Sequence, residues 1–511
     1  MSALRAKNIN VIPKKGTNIL IPIGVLWGLV IFLGLGFLWF TDAFSSSLES
    51  LYLIPWLAAL GIVVLAPTIY LFYIGKFDLF HPLVYAAWTY IVPAFVVGGV
   101  LLNLDLVDWY FLSFIDDPKY NLPLTVVYIG IGFIGLTVGY YLPFGRLAAE
   151  TLEKKLPLWE WKPDHIWGSG ILLLSIGIGA NAFAFLQGLV GFQRVETVDI
   201  FDGLISFLLI VLTAGVVLLW IGVFSTNKRE GIFYLVVALL LIFIPIRMAL
   251  LGTRSGLVAA LIPIVFAYVA SGKKLKFKPT LLFATLALIG VFVGVVYGTT
   301  FRNLKGSENR VQAGDYFGQV TATLDFLSTQ NPGIIFENGL QALAQRLENL
   351  SSVAVVVSNY EKLAPYEESY GLQNNILNDF YTSFIPRFVW PDKPGTSNPR
   401  TYSDLYFDYG DNSFAISPFA DLLRNFGPIG IPLGMLVLGI YLRLIYAMFI
   451  ETKSPAIWKK VAYFLLLISV SYEGFYGIIF PTIIRTAVVL AVALSIANLF
   501  ARQGKLKGMA R

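Results

Sequence analysis

Residues Leu281–Phe301, LLFATLALIGVFVGVVYGTTF, run without a single charge, and the chain then turns polar at Arg302 and stays so to Gly427. An uncharged run of roughly 20 residues is the length that crosses a hydrocarbon core of about 30 Å. Similar runs occupy Ile19–Phe40, Leu51–Tyr73, Pro82–Leu102, Leu122–Leu142, Ile166–Leu189, Leu204–Phe224, Ile232–Leu251, Leu257–Ala270, Ile429–Ile450, Val461–Phe480 and Ile483–Phe500. The pattern predicts an all-α polytopic membrane protein with about 12 transmembrane helices. Three regions follow: a bundle over 1–301, a large loop over 302–427, and closing spans with a tail over 428–511. The first run, with its long apolar core, reads as a span and not as a cleaved signal.

Composition agrees. Hydrophobic residues make up 57% of the 511 and charged residues 13%, far from a soluble balance. The basic pI does not indicate nucleic acid, because Lys and Arg gather in alternate short connections. One set holds 22 of them, from the N-terminus, Lys76, Arg146–Lys162, Lys228–Arg229, Lys273–Lys278, Lys453–Lys460 and the tail. The other short connections hold five: Lys119, Arg194, Arg247, Arg254 and Arg485. By the positive-inside rule both termini are expected in the cytoplasm and the 302–427 loop outside. That loop is acidic, with 14 carboxylates against nine basic residues. There is no cysteine, which excludes disulfides and thiolate chemistry.

Within the loop, Leu340, Leu343, Leu347, Leu350, Ala354 and Val357 recur at spacings of three and four, predicting an amphipathic helix. This helix would lie on the membrane, cap the bundle or simply pack against neighbouring helices. Beyond it, Pro365, Gly371, Pro386, Pro391, Pro394 and Pro399 predict turns and short helices.

Arginine at membrane depth costs about 2.5–3.5 kcal/mol on insertion scales, so it faces a cavity or a partner. Arg247 and Arg254 bracket one outer connection, Arg302 ends a span on the same side, and Arg485 opens the last span. Guanidinium groups so placed suit a pyrophosphate, which they can grip in bidentate fashion; snorkelling or pairing with loop carboxylates is the competing reading. Glu473 falls within the eleventh run, as a functional acid or as an ion-pair partner of Arg485. The loop also carries Pro386-Arg387-Phe-Val-Trp390-Pro391-Asp392-Lys393-Pro394, then Tyr402, Asp404 and Tyr406, and finally Asp421, Arg424, Asn425 and Gly427. Aromatic rings stack on sugar faces, carboxylates accept hydroxyl protons and arginines neutralise phosphate. The two histidines, His81 and His165, both fall on the cytoplasmic side. No zinc spacing, phosphate loop, dinucleotide motif or Asp-x-Asp pair occurs, so no metal or cofactor is indicated.

The chain resembles the oligosaccharide repeat-unit polymerases of the Wzy O-antigen type. The resemblance rests on Gly252-Thr253-Arg254-Ser255-Gly256, on Tyr370-Gly371 with Pro386-Arg387 and Trp390–Pro394, and on Asp421 with Asn425-Phe426-Gly427 and Gly430. It covers roughly Pro245 to Arg485; at the position of Asp421 the family more often has Glu, so the carboxylate here reaches less far. The resemblance implies a GT-C-like glycosyltransferase of the bacterial cytoplasmic membrane, metal-independent. It would transfer a growing glycan from undecaprenyl pyrophosphate onto a lipid-linked repeat unit at the outer face. Pyrophosphate would then be held by Arg254, Arg302, Arg346 and Arg387 in falling order, with Arg247 and Arg485 behind them. Asp421 would be the base, followed by Glu473 and Asp404, while Trp390, Tyr402, Tyr406 and Arg424 would hold glycan. Implied partners are the lipid-linked oligosaccharides, membrane lipid, a chain-length regulator and a flippase, with no nucleic acid. An O-antigen ligase would share this architecture but use an outer-loop histidine, which is missing. A lipid-linked oligosaccharide flippase or other transporter is the reading from a different class, for which two similar halves are the expected signature.

Overall fold

The structure is a computed structural model that describes residues 50–107, 110–161, 163, 166–186, 202–226, 231–251, 256–273, 276–305, 315–385, 389–390, 397–409, 414, 416–452 and 455–509. These residues fold into helices and connecting turns, with no strand among them. In chain order the helices are α1 (Ile54–Tyr73), α2 (Pro82–Asn103), α3 (Pro118–Tyr141), α4 (Pro143–Glu153), α5 (Ile166–Leu186), α6 (Asp202–Ser225) and α7 (Gly231–Leu251). Then come α8 (Gly256–Ala270), α9 (Phe277–Lys305), α10 (Tyr316–Thr329), α11 (Pro332–Leu347), α12 (Leu350–Leu363), α13 (Asn375–Ser383) and α14 (Pro399–Phe407). The last three are α15 (Pro418–Phe449), α16 (Ile457–Ile468) and α17 (Tyr476–Met509).

Seven stretches among the described residues are long and apolar enough to cross a membrane: Leu51–Tyr73, Pro82–Asn103, Pro118–Tyr141, Ile166–Leu186, Thr280–Phe301, Pro418–Phe449 and Tyr476–Phe500. The protein is therefore an α-helical membrane protein. Shorter apolar segments, Ile210–Ser225, Phe233–Ile242 and Ala260–Ala270, fall where three further spans were expected. The expected first span, Ile19–Phe40, lies outside the described residues. The eleventh differs from expectation: α16 ends at Ile468, about 18 Å long at 1.5 Å per residue, and the chain runs irregularly to Phe475 before α17 begins. Glu473 therefore sits in a break between helices, not inside one, and Arg485 lies within α17 instead of opening it.

The expected single helix across 340–357 is two helices. Its apolar period is real, but the chain breaks at Glu348–Asn349, where Glu348 is extended (φ −74°, ψ 116°). The Asn349 amide leaves the helical ladder and donates to the Ala94 carbonyl of α2 at 3.2 Å. Gly98 admits this contact, since a Cβ there would lie 2.7 Å from Glu348 Cα. Across the break, every residue from Leu350 to Val357 is buried, and α12 packs on α3, α14 and α15. The helix is thus a plug within one end of the bundle, and no face of that half is left for a membrane surface.

The frame that holds the plug is the α3–α15 pair. Gly132, Gly135 and Gly139 bring one face of α3 against Ile431, Pro432 and Leu436, and Gly439 of α15 returns the approach on Leu136. A Cβ at Gly135 would stand 2.5 Å from the Pro432 carbonyl oxygen. Small residues at these spacings let membrane helices pack backbone on backbone, where lipid offers no hydrophobic drive. Helix α15 itself is two segments joined at Gly427, whose φ of 69° and ψ of −170° lie in a region only glycine occupies readily. Pro428 then starts the second segment, where its missing amide costs nothing.

Replacing Gly139 by Leu should lower stability by about 1–3 kcal/mol through overpacking. Thermal unfolding in detergent checks this against Gly179→Leu, where the site is open. Equal midpoints for the two variants would show that the helix pair does not depend on the close approach.

Candidate functional site

Two polar clusters stand where the loop helices meet the spans, one sealed and one open. The sealed cluster centres on Arg424, nearly two turns after the start of α15. Ser417 caps that start, its hydroxyl accepting from the Phe419 amide at 3.3 Å. The next seven residues, Pro418 to Arg424, are all buried, so the guanidinium must find its partners inside the protein. It bonds Asp421 Oδ1 at 2.8 Å, Glu367 Oε2 at 3.0 Å, the Leu372 carbonyl at 3.0 Å and Asn375 Oδ1 at 2.6 Å. Asp421 is equally occupied. Its Oδ1 also accepts from Asn375 at 3.3 Å and Asn425 at 3.2 Å, and its Oδ2 takes the Gly477 amide at 3.1 Å. That amide belongs to the first turn of α17, whose dipole favours a carboxylate. No face of Asp421 is open to a substrate hydroxyl in this arrangement.

The ring of partners extends outward. Tyr406 donates to Glu367 Oε1 at 2.8 Å, and Asn375 donates to the Ser397 hydroxyl at 2.6 Å, which in turn donates to Asp379 Oδ2 at 2.6 Å. Burial holds the Glu367 carboxyl above its ordinary range, and the Arg424 charge offsets part of that shift. Tyr402 and Tyr406 are buried and stack on one another, with centroids 4.9 Å apart, and Phe407 and Phe475 also face Tyr402. Their ring faces are occupied by protein and not by open space for sugar. This cluster ties α13, α14, α15 and α17 together.

The open cluster joins Arg346, on the last turn of α11, to Glu473, in the break before α17. Their side chains form an ion pair and remain 43% and 40% exposed. The expected partner of Glu473 was Arg485; the observed partner is Arg346, because the break carries Glu473 out towards the loop helices. The Glu473 carbonyl accepts from the Ile416 and Ser417 amides at 3.1 and 3.2 Å, pinning the break to the start of α15. Beneath the pair lies Tyr90, stacked on Tyr472 with centroids 6.4 Å apart and close enough to Glu473, Arg346 and Glu348 to feel their charges. Its hydroxyl is buried and has no hydrogen-bond partner among the described residues. Tyr90 belongs to a π-helical stretch, Ala87–Val97, a geometry often found at functional sites. A half-exposed pair is worth at most about 1 kcal/mol, so an arriving anion can open it at small cost.

The other expected residues divide. Arg254 and Arg387 lie outside the described residues, as do the side chains of Arg247 and Arg302 on α7 and α9. Asp404 is exposed on α14, Trp390 is 38% exposed, and Arg485 is half-buried within α17. His81 is buried between Tyr140 and Tyr446, and His165 lies outside the described residues. Among the described residues, no group of three His, Asp or Glu converges as a metal site. Sequence reasoning missed Glu367, Asn375, Asp379 and Tyr90; the one trace of them was the four-residue spacing of Asn375 and Asp379, which puts both on one helix face. No family model, no curated protein and no solved structure matches this chain.

Removing the Arg424 charge strands two buried carboxylates. Arg424→Ala should cost about 3–5 kcal/mol, and the double variant Arg424→Met/Asp421→Asn should recover part of it. Unfolding midpoints of the three proteins check this. A double variant no more stable than Arg424→Ala would show that the stranded Asp421 charge does not carry the loss.

Glu348 supplies a pH dependence. Its carboxylate caps α12 by accepting from the Ser351 amide at 2.7 Å, yet burial raises its pKa to about 7. The folded state thus holds its proton between about 4.5 and about 7 while the unfolded chain has lost it. Its contribution to stability is then largest at the acid end, falls across that window and is flat above it. Glu348→Gln should flatten the fall in unfolding midpoint between pH 5 and 7. An unaltered slope would mean that other groups carry it.

Proposed function

We propose that this protein is a lipid-linked oligosaccharide polymerase, a metal-independent glycosyltransferase of GT-C-like architecture working at the outer face of a bacterial cytoplasmic membrane. The carrying observation is the half-exposed Arg346–Glu473 pair set over the unpartnered Tyr90 hydroxyl, at the junction of the loop helices and the spans. The donor is a glycan on undecaprenyl pyrophosphate. Its anomeric C–O bond to pyrophosphate breaks, and the acceptor hydroxyl of a second lipid-linked unit forms the new C–O bond. The electron pair leaves on pyrophosphate, whose charge Arg346 stabilises. The hydroxyl proton goes to Glu473, released from its ion pair once Arg346 turns to phosphate. Pyrophosphate is already a good leaving group, so neither a general acid nor a metal is required of the protein. Glu473 takes the role of base ahead of Asp421 because it retains exposed surface, whereas Asp421 serves as the buried counter-charge that holds α15 and α17 in place. Arg254, Arg302 and Arg387 remain the further pyrophosphate ligands that the resemblance implies.

The test is product length in a polymerase-deficient cell carrying the cognate repeat-unit genes. Wild type should yield a polysaccharide ladder, and Arg346→Ala and Glu473→Gln should collapse it to single units at unchanged protein level. Ladders intact in both variants would refute the proposed site. Failure of single units to reach the outer leaflet without the protein would make it a flippase.

A further inference from the structure

A second concave site runs along α11, over the turns that precede Arg346. It is a cleft of about 400 Å³ between the outer end of α9 and the helices α10 and α11. Its polar lining is unusual for a membrane boundary: Asn303, Gln330, Asn338, Gln341 and Gln345 all present carboxamides, with Thr299 beside them. Among the described residues, no Lys, Arg, Asp or Glu lines it. The Thr299 hydroxyl is buried without a hydrogen-bond partner among the described residues. Asn338, Gln341 and Gln345 recur along one exposed face of α11, and the neighbouring Phe326 and Ile334 are 41% and 50% exposed.

This chemistry selects its ligand. Carboxamides both donate and accept, so they match hydroxyl and acetamido groups, whose directions alternate around a sugar ring. An exposed phenyl ring and an isoleucine cover the apolar face of such a ring. The described lining offers no charge to a pyrophosphate, whereas its carboxamides match neutral sugar rings. The cleft begins where α9 leaves its apolar stretch, and Gln345 precedes Arg346 in the chain, so a ligand held here reaches the ion pair along one helix turn.

We infer that this cleft binds the uncharged sugar rings of a lipid-linked glycan, beside the pyrophosphate-handling pair. The inference deepens the polymerase reading and rests on it for the identity of the glycan, although the binding itself can be measured without turnover.

The chain has no cysteine, so Gln330→Cys gives a single attachment point for an environment-sensitive dye at the cleft. The labelled protein in nanodiscs is titrated with the cognate repeat-unit oligosaccharide freed from its lipid by mild acid, and separately with inorganic pyrophosphate. The oligosaccharide should give a saturable signal that is weakened about tenfold or more by Asn338→Leu/Gln341→Leu, and pyrophosphate should give none. Gln345→Leu, one exposed side chain with no role in packing, should weaken binding in the same direction if the double variant proves unstable. No saturable response to the oligosaccharide, or equal affinity in all variants, overturns the inference. Running the ladder assay alongside separates the two readings. Binding without a ladder defeats the polymerase and leaves the cleft standing, and a ladder without binding does the reverse.

Discussion

The buried Arg424 guanidinium, shared between Asp421 on its own helix and Glu367 on the loop, is the interaction on which this end of the molecule depends. Two carboxylates and one guanidinium carry a formal charge of minus one into the protein, and burial makes each of them intolerable without the others. Satisfying them fixes four elements at once. The Asn375 side chain positions α13, Tyr406 positions α14, the Gly477 amide positions α17, and the kink at Gly427 turns α15 down into the bundle. The break at residues 469–475 is a consequence. With α17 started at Tyr476 and bonded to Asp421, the chain from α16 must cross the remaining gap without helical bonds, and Glu473 is carried to the rim.

Rigidity below and accessibility above is the arrangement that a transfer reaction needs. Charge-stabilising groups lower a barrier only if they are already oriented. Here the sealed network orients the backbone, while the groups that would meet substrate, Arg346 and Glu473, keep solvent contact and a weak mutual tie. The amide-lined cleft along the preceding turns of α11 adds a place for neutral rings. One helix, Pro332–Leu347, would then carry charge recognition at its last turn and sugar recognition along the turns before it.

Much of the bundle was legible in the sequence because hydrocarbon thickness dictates span length, and uncharged runs such as Leu281–Phe301 satisfy that rule locally. The short α16 was not. The run Val461–Phe480 is apolar throughout its first part, and nothing in it announces that the Asp421–Gly477 bond, made 56 residues apart, would start a new helix at Tyr476. The α11–α12 break was hidden for a similar reason: the apolar period continues through it, and the departure is caused by a contact with Ala94 and Gly98 on a distant helix. Among site residues, Asp421, Arg424 and Glu473 were visible as charges in or beside apolar runs, while Arg346 entered only through the family resemblance. Their pairing was not, since local spacing cannot say that Arg346 rather than Arg485 meets Glu473. Glu367 and Asn375 sit in ordinary polar sequence and gain meaning only from the fold.

Photo-crosslinking of a diazirine-bearing undecaprenyl pyrophosphate to the protein in nanodiscs, with the attached peptides identified by mass spectrometry, tests the central claim most directly. The account predicts adducts on the segments that hold Arg346 and Glu473, residues 332–347 and 469–475, competed by unlabelled carrier and lost in Arg346→Ala. Adducts confined to the connections at the opposite end of the bundle, or unchanged by that substitution, would contradict it.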